Sequence, residues 1–187
     1  MGIVLITAPS GSGKTYLMNL LKRNYNAKVT KFIGECISHT TRKIRENETD
    51  GVTYYYVDEA TFDKMRENDE FAESVVYDGK LYGITKKEIK RVLSQNYNVY
   101  IIVNYDGYKQ VSNAFPDSIG IFLHMDKKDC LANMLLRGDT IDDALSRIST
   151  YEEEMKNRTD YDYVVKNIRD KENETIKIIH SIIEQNQ

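Results

Sequence analysis

An apolar run of strand length, Gly2–Thr7, passes directly into Ala8-Pro-Ser-Gly-Ser-Gly-Lys14-Thr15 and then into Tyr16–Asn24, where Leu17, Leu20 and Leu21 recur at i, i+3 and i+4. A strand, a glycine turn and a helix with one apolar face together open a parallel α/β domain. The octapeptide matches G-x-x-x-x-G-K-S/T, with Ala8 in place of the first glycine. Small residues are needed there because backbone N–H groups must converge on phosphate oxygens without obstruction. Gly11 and Gly13 supply that freedom, Lys14 is spaced to reach the β- and γ-phosphates, and the Thr15 hydroxyl is spaced to bind Mg²⁺. The expected ligand is a nucleoside triphosphate, its phosphates held by Pro9, Ser10, Gly11, Ser12, Gly13, Lys14 and Thr15.

Composition narrows the remaining choices. The chain has 187 residues, 41% hydrophobic and 29% charged, which suits one domain with a full core. The longest apolar runs, Ile3–Ile6 and Val99–Val103, fall far short of the roughly 20 residues that span a bilayer. A net charge of −3 gives no general attraction to nucleic acid or anionic lipid, and Lys86-Lys87 and Lys127-Lys128 are isolated pairs. Neither nucleic acid nor membrane is expected as a partner. Cys36 and Cys130 are too far apart for a CxxC motif and read as buried or idle thiols. His39, His124 and His180 show no metal-ligand spacing. The expected location is cytoplasmic.

Further strands are expected around Lys31–Ser38, Val52–Val57, Phe71–Tyr77, Lys80–Gly83, Val99–Val103, Gly120–Leu123 and Tyr163–Val165. Asp78-Gly79 reads as a hairpin turn. Helices are expected over Ala60–Asn68, from Thr85 to about Gln95, and over Asp129–Leu136, Ile141–Met155 and Glu172–Gln185. Thr85 and Glu88 form a capping-box pattern. Ile176, Ile179 and Ile183 make a core stripe on the final helix.

A phosphate loop alone leaves ATPase, GTPase, kinase and motor open. Ser38-His-Thr-Thr-Arg42-Lys-Ile-Arg45, Asp50-Gly51-Val-Thr-Tyr54, Phe71-Ala-Glu73 and Tyr82-Gly83 narrow the choice. Arg137-Gly138, Arg147 and Tyr161-Asp-Tyr-Val-Val-Lys-Asn167 follow downstream. In order and spacing these elements resemble the guanylate kinase family over nearly the whole chain. The resemblance implies a P-loop three-layer α/β fold with a parallel sheet core (1–37, 86–125 and 148–187). It further implies a β-rich nucleoside monophosphate-binding insert (38–85) and a helical lid (126–147). It implies an ATP:(d)GMP phosphotransferase, with Mg²⁺ carried at Thr15 and a monomer or homodimer as the assembly.

The chemistry fits that resemblance. Arg42 and Arg45 offer planar forks for an acceptor phosphate, and Tyr54 and Tyr82 offer phenolic donors. The Glu73 carboxylate can accept from guanine N1–H and the 2-amino group, a donor edge adenine lacks. By resemblance the GMP site comprises Ser38, Arg42, Arg45, Tyr54, Glu73, Tyr82, Gly83, Thr85 and Asn104. Arg137 and Arg147 would close over the ATP phosphates, Asn167 would lie near the adenine, and the catalytic set would be Lys14, Arg42, Arg137 and Arg147. Three departures stand out. The family's D-x-D-x-Q-G reads Ile102-Val-Asn104-Tyr-Asp106-Gly107, the hydroxyl after Tyr-Gly has become Ile84, and an expected lid arginine has become Asn133. They leave two alternatives, a kinase with an altered acceptor base and a non-catalytic binding module.

Overall fold

The computed structural model describes residues 2–26, 32–46, 48–77 and 79–186. Five strands form a parallel sheet: β1 (Gly2–Thr7), β2 (Ile33–Glu35), β7 (Asn98–Ile102), β8 (Ile119–His124) and β9 (Tyr163–Lys166), in the spatial order β2-β7-β1-β8-β9. Strand alternation sorts β1 into two cores. Val4 and Ile6 pack towards α1 (Lys14–Asn26) and α8 (Glu172–Gln185), with Leu17, Leu21, Ile176, Ile179 and Ile183. Ile3 and Leu5 turn to the other face, with Ile89 and Val92 of α3 (Lys86–Gln95) and Val111 of α4 (Tyr105–Ala114). Helices therefore cover both faces of the sheet, the three-layer arrangement expected for its buried, β-branched strands.

The strand order places a topological switch between β1 and β8. Crossover connections leave β1 in one direction along the sheet and β8 in the other, so a crevice opens at their carboxyl ends. The glycine loop after β1 lies there. So does the segment leading from β8 into α5 (Lys127–Leu136).

The second sheet is smaller and mixed: β3 (His39–Thr40), β4 (Tyr55–Tyr56), β5 (Phe71–Tyr77) and β6 (Lys80–Thr85), in the order β4-β3-β6-β5. β5 and β6 form the expected hairpin, with Gly79 at φ +67°; Asp78 lies outside the described residues. Helix α2 (Glu59–Glu67) packs Phe62 against Phe71, ring centroids 4.4 Å apart.

Several expectations need correction. The strand expected over Lys31–Ser38 is confined to Ile33–Glu35, and Lys31 lies outside the described residues. Val52–Val57 yields only Tyr55–Tyr56, because Gly51 at φ +72° turns the chain first. The helix expected over Ile141–Met155 is two, α6 (Ile141–Ile148) and α7 (Tyr151–Lys156). Ser149 and Thr150 donate their hydroxyls back to the carbonyls of Ser146 (2.6 Å) and Arg147 (3.0 Å), a competition that breaks a helix. Only half of the capping box forms. Thr85 Oγ1 accepts from the Glu88 N–H, but the Glu88 carboxylate binds Arg91 and the Ile37 N–H instead. Helix α4 was not expected, since it buries only Gly107 and Val111.

Candidate active site

The glycine loop lines a cleft of about 680 Å³ at the switch point. Gly11 and Gly13 have φ of +81° and +83°, backbone that L side chains rarely adopt. A Cβ on Gly11 would also lie 2.2 Å from the Cys130 carbonyl oxygen, so the start of α5 is packed directly on the loop. Two side-chain amides hold the loop from outside. Asn133 Nδ2 donates to the Gly11 carbonyl at 2.9 Å, and Asn167 Nδ2 to the Ser12 carbonyl at 3.1 Å. Asn167 is itself held by the Thr175 hydroxyl at 3.2 Å. Asn167 thus buttresses the phosphate loop in addition to lining the cleft.

Lys14 Nζ donates to the Ala8 carbonyl at 2.7 Å. Burial pulls its pKa down, and the nearby Glu154 carboxylate opposes that pull. Glu154 is a residue that sequence reasoning missed. One of its oxygens accepts from the Thr150 hydroxyl at 3.0 Å, while the other is buried without a hydrogen-bond partner, beside a small cavity shared with Thr7 and Ala8. Arg137 and Arg147 line the same cleft as Lys14, and Arg137 is held by Asp139 at 2.5 Å. Thr15 is exposed in the cleft wall. Among the described residues no group of three His, Cys, Asp or Glu is placed to hold a metal. The Thr15 hydroxyl, exposed in the cleft next to Lys14, is the single oxygen donor that Mg²⁺ carried by nucleotide phosphates takes from a protein.

On the smaller sheet, Glu73, Ile84, Val75, Tyr82, Thr40 and Tyr56 share a face by register. Tyr54 and Tyr82 meet edge to face at 5.9 Å, and the Arg42 guanidinium lies over Tyr54 at 5.4 Å. Arg42 is also bidentate to Glu48, at 2.6 and 3.0 Å. Glu48 further accepts from the Arg45 N–H and the Tyr56 hydroxyl, both at 2.8 Å. The bond from Arg42 holds its carboxyl down, to about 2. Glu48, like Glu154, was missed, because no local pattern marks its partners. The Arg45 side chain is exposed and Ser38 is half-buried at the root of β3.

Glu73 is 6% exposed, and burial pushes its pKa up to about 7, against the pull of the Ile84 backbone N–H. It faces the first turn of α4. Glu73 Oε2 and Asn104 Oδ1 lie 3.3 and 3.2 Å from where a Gly107 Cβ would stand, so the two base-reading candidates converge on one bare glycine. Asn104 Oδ1 is already engaged, accepting from the Gly107 N–H at 2.8 Å as the cap of α4. Gly83 and Thr85 are buried. A Cβ on Gly83 would lie 2.8 Å from the Phe71 ring, and Thr85 serves α3 as its cap. Neither is presented as an open ligand contact.

A parallel α/β core with a glycine phosphate loop at its switch point defines a P-loop nucleotide-binding protein, here with a smaller sheet beside it that carries the Arg42–Tyr54–Tyr82 cluster and the buried Glu73 carboxylate. The family model for guanylate kinase matches residues 1–186. The guanylate kinase of Methylobacillus flagellatus is 34% identical over 170 residues, 89% of this chain and 81% of its own. That of Buchnera aphidicola is 32% identical over 186 residues, 97% and 86% of the two chains. The crystal structure of guanylate kinase from Anaplasma phagocytophilum superposes with a TM-score of 0.72 at 22% identity, covering 100% of this chain and 86% of that one. The chain belongs to the guanylate kinase family. No helix among the described residues is long and apolar enough to cross a membrane.

Proposed function

We propose that the chain, an enzyme of this family, transfers the γ-phosphoryl group of MgATP to GMP or dGMP, giving ADP and GDP or dGDP. The observation that carries this reading is the convergence of Glu73 with Asn104 at Gly107 of α4, Glu73 standing on the sheet beside the Arg42–Tyr54–Tyr82 cluster. One end of that face suits a base with two adjacent N–H donors, the other a phosphate dianion. An acceptor without guanine's donor edge would gain nothing from a buried carboxylate.

Lys14 exchanges the Ala8 carbonyl for the β- and γ-phosphates, and the loop N–H groups hold the remaining oxygens. Thr15 would hold Mg²⁺ through its hydroxyl, and the ion would supply charge neutralisation to the donor phosphates. Arg42, Arg45, Tyr54 and Tyr82 orient the acceptor phosphate, with Ser38 at the edge of that site and the buried Gly83 and Thr85 supporting it from the backbone of β6. Its oxygen attacks the γ-phosphorus as the β–γ bridging bond breaks, and the electron pair leaves on ADP. No covalent enzyme intermediate is needed, since positioning and charge stabilisation carry most of phosphoryl transfer. Arg137 and Arg147 neutralise the charge in transit. In this reading 38–85 is the acceptor-binding insert, 126–147 the lid, and the remainder the core; the enzyme works in the cytoplasm as a monomer or homodimer. Neither family membership nor the retained Lys14 and Thr15 favours the binding-module alternative.

A coupled ADP-release assay with MgATP, offering GMP, dGMP, AMP, UMP, CMP and dTMP separately, tests the reading. Turnover confined to GMP and dGMP is expected. Equal turnover with AMP would overturn it.

A further inference from the structure

Arg169 belongs to no motif and lies in the segment between β9 and α8, yet it lines the phosphate-loop cleft. Its guanidinium is fixed in plane by three hydrogen bonds: Nη2 donates to Asn133 Oδ1 at 2.9 Å and to the Asp129 carbonyl at 3.3 Å, and Nε donates to Asp129 Oδ1 at 3.3 Å. None of these uses Nη1, and the Arg169 side chain keeps 35% of its surface exposed. Asn133 passes the connection on, since its amide donates to the Gly11 carbonyl of the phosphate loop. A planar cation is thus held at a set orientation beside the loop, the arrangement that lowers the entropic cost of a stack.

The charges around it decide which part of a nucleotide it meets. Lys14, Arg137 and Arg147 supply positive charge to the cleft. Arg169 sits instead among carboxylates: it binds Asp129, and Asp170 and Glu172 line the cleft beside it, Glu172 Oε1 accepting from the Asp170 N–H at 3.2 Å. A phosphate chain would be repelled from that end, whereas an uncharged base would not. The wall also presents the Tyr16 ring, 61% exposed, a second flat surface suited to a purine.

We propose that Arg169 is a positioning residue for the donor nucleotide, its guanidinium face stacking on the nucleobase while Asn133 ties its plane to the phosphate loop. The inference rests on the reading that ATP occupies this cleft. It gives the Asn133 amide a purpose in the place where an arginine was expected: the cation comes from the β9–α8 segment and the amide orients it.

Calorimetric binding of ATP and of inorganic tripolyphosphate to the wild-type protein, R169A and R169K tests it. Arg169→Ala is expected to weaken ATP about threefold to tenfold, the range of a cation–π contact, and to leave tripolyphosphate unchanged. Arg169→Lys, which keeps the charge and loses the plane, is expected to fall between. In steady state the KM for ATP should rise in R169A while the KM for GMP stays. An equal loss for ATP and tripolyphosphate would mean that the side chain serves the phosphates or only props the loop, and would overturn the proposal. So would unchanged ATP binding. Wild-type protein that binds neither ligand would overturn the functional reading itself, an outcome distinct from both.

Discussion

Gly11 shows how one missing side chain is required twice over. Its φ of +81° and the 2.2 Å approach of the Cys130 carbonyl to its would-be Cβ are independent demands. Gly11→Ala is therefore expected to cost roughly 2 kcal/mol or more in chemical denaturation and to abolish nucleotide binding. Lys14→Ala behaves differently. It removes a buried ammonium, so melting temperature should hold while kcat falls at least about a hundredfold; retained turnover would refute the role given to Lys14. Glu73 makes a pH prediction. Its folded pKa of about 7 lies above the ordinary 4.5, so the folded state holds the proton more tightly than the unfolded one. That stabilisation is complete below about pH 4.5 and is lost as pH rises to about 7, a change of roughly 3 kcal/mol. Stability of the wild type should fall between pH 5 and 8 more than that of E73Q. GMP affinity should move the other way, tightening as the carboxylate ionises, and E73Q should lose that part of the pH dependence. At this scale the sequence was readable where partners are contiguous, as in Ala8–Thr15. It was silent for Glu154 and Arg169, which act on residues far away in the chain and carry no local pattern.

Among the elements, those with a strong period were legible and those held by caps or hydroxyls were not. The stripe Ile176, Ile179 and Ile183 is buried as its spacing requires, and α8 has the expected bounds. Helix α4 was missed because a helix that buries two residues shows no stripe; its one local signal was Asn104 three residues before Gly107. Since Asn104 is a cap as well as a base-reading candidate, its substitutions separate the two roles. Asn104→Ala should destabilise the protein by about 1 kcal/mol through the lost cap. Asn104→Asp keeps the cap and adds charge favourable to a helix N-terminus, so stability should hold or rise. If position 104 also meets the base, kcat/KM for GMP should change in the aspartate variant while that for ATP stays. The break between α6 and α7 was hidden for a related reason: apolar spacing runs through it, and only the hydroxyls of Ser149 and Thr150 interrupt the backbone.

In the proposed reaction the donor occupies the phosphate-loop cleft at the edge of the parallel sheet and the acceptor lies on the smaller sheet, and transfer requires the two to meet. A non-hydrolysable ATP analogue together with GMP should therefore reduce the radius of gyration in X-ray scattering more than either alone, as the acceptor sheet and the α5–α6 region move inward. A radius indifferent to the pair would mean that donor and acceptor already stand at reaction distance. The overall architecture was legible because strand–loop–helix order largely dictates a parallel sheet. How the smaller sheet is attached was not, and it depends on Glu88. The chain crosses between the sheets twice, at Cys36–Ser38 and at Thr85–Lys86, and both crossings are fastened to the same helical turn. The Ile37 N–H donates to Glu88 Oε1 at 2.9 Å, and the Glu88 N–H donates to Thr85 Oγ1 at 3.1 Å. Gln110 forms a separate clasp, bonding both sides of the Ser74 backbone. The smaller sheet is therefore anchored at one turn of α3, clasped at Gln110, and seated through Ala72 and Ile84 on the core of the larger one. Any inward swing of that sheet in the proposed reaction is expected to be an arc about Glu88, and loss of the Glu88 carboxylate is expected to free the Ile37 crossing.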